Sequence, residues 1–183
     1  MLIVAITGMP GAGKSTAAKA LEARGFKRIV MGDVIREETR RRGLDPDEKN
    51  TGKVMLELRQ QYGPGAVAEL CLRSLKETKD DVTIVDGIRS FAEVEVFARE
   101  SKVKLLAVHA SRDRRFKLLT ERGRSDAPTS RASFDERDKR ELSIGVGDAV
   151  ALADESLSNE HVTPDEIGRK AVELAEWWVS TSG

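Results

Sequence analysis

Residues 6–16 read ITGMPGAGKST. Gly8, Gly13, Lys14 and Ser15 fit the pattern G-x-x-x-x-G-K followed by serine or threonine. The flanks are those the pattern requires. LIVAIT (2–7) precedes it as a short apolar run, and KSTAAKALEARG follows with helical spacing through Ala17, Ala18 and Leu21. A chain with this turn puts a buried strand directly before it and a helix directly after. Glycines let the backbone approach an anion and turn its N–H groups inward, and the helix N-terminus adds partial positive charge. Lys14 reaches the outer phosphates, and the Ser15 hydroxyl is a magnesium ligand. Gly8, Pro10, Gly11, Ala12, Gly13, Lys14, Ser15 and Thr16 are therefore expected to cradle a nucleoside triphosphate, rather than merely to join strand to helix.

FKRIVMG, TIVDG (83–87) and KLLAVHA (104–110) read as three further strands. Helical segments are expected near 33–43, 49–61, 65–79, 90–101, 112–122, 134–142 and 164–179. Strands alternating with helices predict a parallel sheet covered on both faces. Two stretches break the rhythm. Residues 33–80 are nearly all helix, and residues 123–141 are highly charged and poor in large apolar side chains. The second reads either as a solvated loop and helix or as a lid over a ligand.

The 183 residues suit one domain with a mobile insertion. Thirty-one basic residues balance 31 acidic ones, which speaks against a generic nucleic-acid coat, since that needs a basic field. Cys71 is the single cysteine and sits at helical spacing among apolar residues, so it reads as core, with no disulfide framework. No run is apolar enough for long enough to span a bilayer, and MLIVAITG lacks the marks of a signal peptide, so the expected location is the cytoplasm. Of Trp177 and Trp178, one is expected on the core and the other outside.

Asp86 in TIVDGIRS stands at the C-terminal end of a buried strand, the edge where open α/β sheets bind ligands. A carboxylate there either holds magnesium, directly or through water, or caps the next helix. Gly87 lets the chain turn, and Arg89 is then free to point into the cleft.

At this point the chain resembles the nucleoside monophosphate kinase group of P-loop proteins, adenylate kinases in particular. GDVIR (Gly32–Arg36) is similar to the Gly-Asp-x-x-Arg that ends their second strand. DGIR (Asp86–Arg89) is similar to the Asp-Gly-Phe-Pro-Arg that ends their third, one residue shorter. The tail ADESLSNEHVTPDEI (153–167) looks instead like dephospho-coenzyme A kinases, where an Ala-Asp pair starts the last strand and an Asn begins the loop near the donor adenine. Nearly the whole chain resembles the mostly archaeal adenylate-kinase-related family within this group. The resemblance implies a three-layer P-loop fold with a five-stranded parallel sheet, a helical acceptor-binding insertion at 33–80 and a small lid at 123–141. It implies ATP and Mg2+ as donor and cofactor, with Ser15 and Asp86 at the metal. Arg36 and Arg89 would clamp the acceptor phosphate, beside Gly87. Asp33 would orient or deprotonate an acceptor hydroxyl, or else only cap a helix.

Lid arginines of adenylate kinases close over the phosphates, and Arg122 and Arg137 are the best matches. The usual arginine four residues before the first is Leu118 here; Arg115, on the same helix face as Arg122, is the candidate substitute. Glu93 replaces the glutamine that reads adenine in those enzymes; a carboxylate only accepts. It reads either as a base contact or as a solvated helix residue. The expected activity is transfer of the γ-phosphoryl of Mg-ATP to a nucleoside monophosphate, AMP first, by a monomer or weak homodimer. The alternatives are phosphorylation of a sugar hydroxyl, as in dephospho-coenzyme A kinases, and an ATP-binding regulator.

Overall fold

The computed structural model describes residues 1–76, 80–123 and 127–182. The chain runs β1 (Leu2–Thr7), α1 (Lys14–Ala23), β2 (Lys27–Val30), α2 (Met31–Arg41), α3 (Glu48–Tyr62), α4 (Ala66–Lys76), β3 (Val82–Ile88), α5 (Phe91–Ala98), β4 (Lys102–His109), α6 (Arg112–Glu121), α7 (Arg131–Ile144), α8 (Val146–Ala151), β5 (Glu155–Ser158) and α9 (Pro164–Thr181). The sheet has the order β2-β3-β1-β4-β5, and every pairing is parallel. All five strands therefore end at one edge, where the turn after β1 lies.

Strand β1 is buried along its whole length because its alternate side chains enter two different layers. Leu2, Val4 and Ile6 pack with Ala17, Ala18 and Leu21 of α1 and with Ala171, Ala175 and Trp178 of α9. Ile3 and Ala5 face the opposite layer, with Ile35 of α2, Val54 and Leu58 of α3, Leu72 and Leu75 of α4, and Phe97 of α5. Cys71 lies in that second layer, and burial pushes its thiol up to about 12, so it behaves as an apolar filler. Trp178 is buried and Trp177 is exposed. Among the described residues no helix is long and apolar enough to cross a membrane.

Three local outcomes differ from expectation. Met31 and Gly32 belong to α2 rather than to the strand. Val30 pairs with Asp86, and at the next residue β3 bulges at Gly87 (φ +107°), so the ladder ends. The bulge is held by Thr7, whose Oγ1 donates to the Ile88 carbonyl at 3.0 Å. The short helix α8 was hidden by its glycines; Gly145, at φ +111°, ends α7 and starts α8. Helix α7 itself is longer than expected. It begins at a reciprocal Ser130–Ser133 capping box and is not a solvated charged helix: Phe134, Asp138 and Glu141 are buried. Residues 124–126 of the expected lid and 77–79 of the expected fourth helix lie outside the described residues.

Candidate active site

The turn after β1 is built so that only glycine fits its close approaches. Gly8 has φ +142°, and a Cβ there would lie 2.2 Å from the Val108 carbonyl oxygen of β4. Gly13 has φ +108°, and its Cβ would lie 2.6 Å from Asn159 Nδ2. Asn159 follows β5 and clamps the loop from the far side. Its backbone N–H donates to the His109 carbonyl at 2.7 Å, and its buried side chain donates to the Ala12 carbonyl at 3.0 Å. No side chain caps α1, so its N-terminus opens toward the loop.

Lys14 curls back over this loop. Its Nζ donates to the carbonyls of Gly8 at 2.6 Å and Met9 at 3.1 Å. Burial pushes its ammonium down to about 8; the charge of Asp86 opposes the shift, Arg89 and Arg137 add to it, and Glu141 opposes it. Lys14 is thus the point where the end of β3 (Asp86, Arg89) and the inner face of α7 (Arg137, Glu141) converge. Lys14, Asp86 with Arg89, and Arg137 come from three places in the chain, the start of α1, the end of β3 and α7, and the same set of charges adds Glu141, which sequence reasoning passed over.

This lysine sets a pH dependence whose sign can be worked out. Between about pH 8 and its ordinary value of 10.5 the folded lysine has lost a proton that the unfolded chain retains. The unfolded state then binds more protons, so stability rises with pH across that window. A triphosphate bound beside Lys14 favours the ammonium, so nucleotide binding near pH 8 is expected to take up a proton. Calorimetry of ATP binding in buffers of different ionisation enthalpy measures that uptake; affinity is expected to fall as pH rises through 8.

Asp86 is buried, and its Oδ2 accepts from Arg28 Nη2 at 2.6 Å. Arg28 also reaches Glu22 of α1 at 3.1 Å. Burial alone would lower the Arg28 pKa; the hydrogen bonds and charges of Asp86 and Glu22 outweigh it and hold the guanidinium above its ordinary value. The Asp86 carboxylate and the Ser15 hydroxyl at the start of α1 are hard oxygen donors of the kind that suit magnesium. No cluster of three or more His, Cys, Asp or Glu among the described residues could hold a metal by itself, so the ion would arrive with phosphate oxygens as its remaining ligands, and would supply positive charge to them.

Arg89 Nη1 contacts Glu141 Oε1 at 3.3 Å and Met55 Sδ at 3.6 Å. Asp33 and Arg36 sit in the first turns of α2 as an exposed ion pair, with Arg36 Nε 3.0 Å from Asp33 Oδ1. Their side chains are 64% and 44% exposed, so both stay available to a ligand at the end of β2.

The expectation for Glu93 is corrected. It is neither solvated nor open to a base: it is 0% exposed. Its Oε1 accepts from Arg59 Nη2 of α3 at 2.7 Å and its Oε2 from the Arg89 backbone N–H at 2.8 Å. Both oxygens are committed to holding the turn that carries Arg89. Arg115 is corrected as well. It is buried, bidentate to Asp138 of α7 (Nη1–Oδ1 2.8 Å, Nη2–Oδ2 2.5 Å), and its Nη1 also donates to the Pro10 carbonyl at 3.1 Å. It stacks 4.9 Å from the Phe134 ring centroid. It ties α7 to the glycine loop, and with its side chain 4% exposed it is buried away from any base. A cleft does run from Lys14 and Ser15 past Lys19 to Leu118 and the exposed Arg122, with Arg114, which sequence reasoning missed, in the same wall.

A glycine-loop cradle at the edge of a 2-3-1-4-5 parallel sheet defines a P-loop protein with a kinase-like fold. Solved structures with this architecture include TT1252 from Thermus thermophilus (TM-score 0.68, 21% identity, 96% of this chain and 97% of that one). Shikimate kinase from Bacteroides thetaiotaomicron is another (TM-score 0.66, 16% identity, 96% and 98%). In sequence, an AAA domain profile matches residues 7–134. The chain belongs to the UPF0200 family: it is 41% identical over 180 residues to a UPF0200 protein of Thermococcus onnurineus, covering 96% of this chain and 97% of that one. A UPF0200 protein of Methanocaldococcus jannaschii is 43% identical over 162 residues, covering 87% and 82%.

Proposed function

We propose that this protein is a magnesium-dependent nucleotide kinase that transfers the γ-phosphoryl group of ATP to a phosphate-bearing acceptor, with AMP the first candidate. The glycine-loop cradle that holds Lys14, with Arg89 on the turn after β3 and ion-paired to α7, carries this reading. A transferring phosphoryl group spreads charge over its oxygens and needs cations aimed at it from several sides. Lys14 would meet the donor's outer phosphates, Arg89 and Arg36 the acceptor phosphate, and Arg137 and Arg122 would close from the α6–α7 side. Residues 33–80 would hold the acceptor and 123–141 would cover the donor, keeping water from the phosphoryl group. The site would work inside the cell, where ATP is found, with small molecules rather than nucleic acid as its partners.

A specific observation favours a second reading. Asp33 is 64% exposed at the start of α2, where it is paired with Arg36 and within solvent reach of an acceptor hydroxyl. The same fold serves a shikimate kinase from Acinetobacter baumannii solved with shikimate, which is not a nucleotide (TM-score 0.58, 14% identity). Incubation with Mg-ATP and AMP, CMP, GMP or dephospho-coenzyme A, with products separated by chromatography, distinguishes the readings. Phosphorylation of a monophosphate that survives Asp33→Asn supports the first. Phosphorylation of dephospho-coenzyme A that is lost in Asp33→Asn supports the second. Nucleotide binding without any transfer would leave a regulator.

A further inference from the structure

Glu141 is a carboxylate in the transfer centre that the kinase reading does not employ. It is 5% exposed. Its Oε1 meets Arg89 Nη1 at 3.3 Å, and its charge reaches Lys14. The backbone that carries it is pinned on both sides. One turn earlier, Asp138 is held by Arg115. One turn later, Gly145 packs so closely on the turn after β3 that a Cβ there would lie 3.3 Å from Ser90 Cβ and 3.9 Å from the Arg89 carbonyl oxygen. Helix α7 therefore delivers this carboxylate to Arg89 by construction.

We propose that Glu141 is a specificity-determining residue: in the empty protein it stands in for the acceptor's anion on Arg89, and only an acceptor bearing a phosphate displaces it. This rests on the reading that Arg89 grips the acceptor. The contact it makes is a single long one through one guanidinium nitrogen. A phosphate dianion brings more charge and three acceptor oxygens, and it can take Arg89 in a bidentate grip. A neutral sugar or a nucleoside offers nothing that outcompetes a buried carboxylate. Once displaced, the carboxylate stays within electrostatic reach of Lys14, so it is not left as an uncompensated buried charge. Glu141 would thus set a threshold, excluding acceptors without phosphate at the cost of some affinity for those that have it.

Calorimetry of AMP, inorganic phosphate and adenosine binding to the ADP-loaded full-length protein tests the proposal. Glu141→Gln is expected to bind AMP and inorganic phosphate about 10-fold more tightly than wild type, the size of one charge-assisted contact, and to admit adenosine as well, so that its preference for AMP over adenosine narrows. Glu141→Asp keeps the charge but withdraws it by one methylene, and is expected to show part of the gain. In an Arg89→Ala background, Glu141→Gln is expected to give no gain. Unchanged or weaker binding of AMP and phosphate by both Glu141 variants overturns the proposal, as does an equal gain without Arg89. Failure of both AMP and inorganic phosphate to bind wild type or variant would overturn the reading that Arg89 grips an acceptor phosphate, and this one with it. Binding to wild type with no gain in the variants overturns this one alone.

Discussion

Lys14→Ala is expected to lower the rate of phosphoryl transfer about 10³-fold, roughly 4 kcal/mol of transition-state stabilisation. The lysine's ammonium feels the charges of Asp86, Arg89, Glu141 and Arg137 at once. Without it, the negative charge that develops on the transferring group loses the cation nearest the glycine loop. Steady-state kinetics with the acceptor found in the panel reads the loss directly. It is expected mainly in kcat, because the backbone amides of the loop and the N-terminus of α1 still hold the triphosphate. A variant within about threefold of wild type would show that the lysine merely spans the Gly8 and Met9 carbonyls.

Arg115→Ala is expected to destabilise the protein by about 3–5 kcal/mol, measured as a fall in the midpoint of urea unfolding. The magnitude follows from what remains. Asp138 is only 9% exposed in its side chain and would be left as a buried carboxylate without its bidentate partner. The Pro10 carbonyl would lose its donor too, and Phe134 its stacked guanidinium. Replacing both members by apolar residues of similar volume is expected to restore much of the stability, since most of the cost is the orphaned charge rather than the lost attraction. Because the same arginine ties α7 to the glycine loop, that double replacement separates stability from delivery of Arg137. Recovered unfolding midpoints with a still-depressed kcat would mark the tie as a positioning device.

How much of this was legible in the residues varies with how local the physics is. The cradle was readable because its requirements lie within a few residues: φ near +142° at Gly8 and +108° at Gly13 demand glycine whatever the rest of the chain does. The apolar runs of β1, β3 and β4 were readable because strands covered on both faces leave no polar alternation. The end of β2 was not, because it is set by a bulge at Gly87 in the neighbouring strand. Helix α8 was not, because a glycine that ends one helix and starts another looks like a plain break.

What the sequence by itself determined is the phosphate cradle and the α/β order of the elements around it, since a turn that admits only glycine and central strands built mainly of apolar residues carry their reasons with them. What only the tertiary structure decided is the use of each charge. With 31 basic and 31 acidic side chains, nothing local distinguishes Arg28, Arg59 or Arg115 from the arginines left in water. Their partners lie 58, 34 and 23 residues away. A buried ion pair exists only where folding both removes the water and supplies the opposite charge, and neither condition is a property of the residue itself.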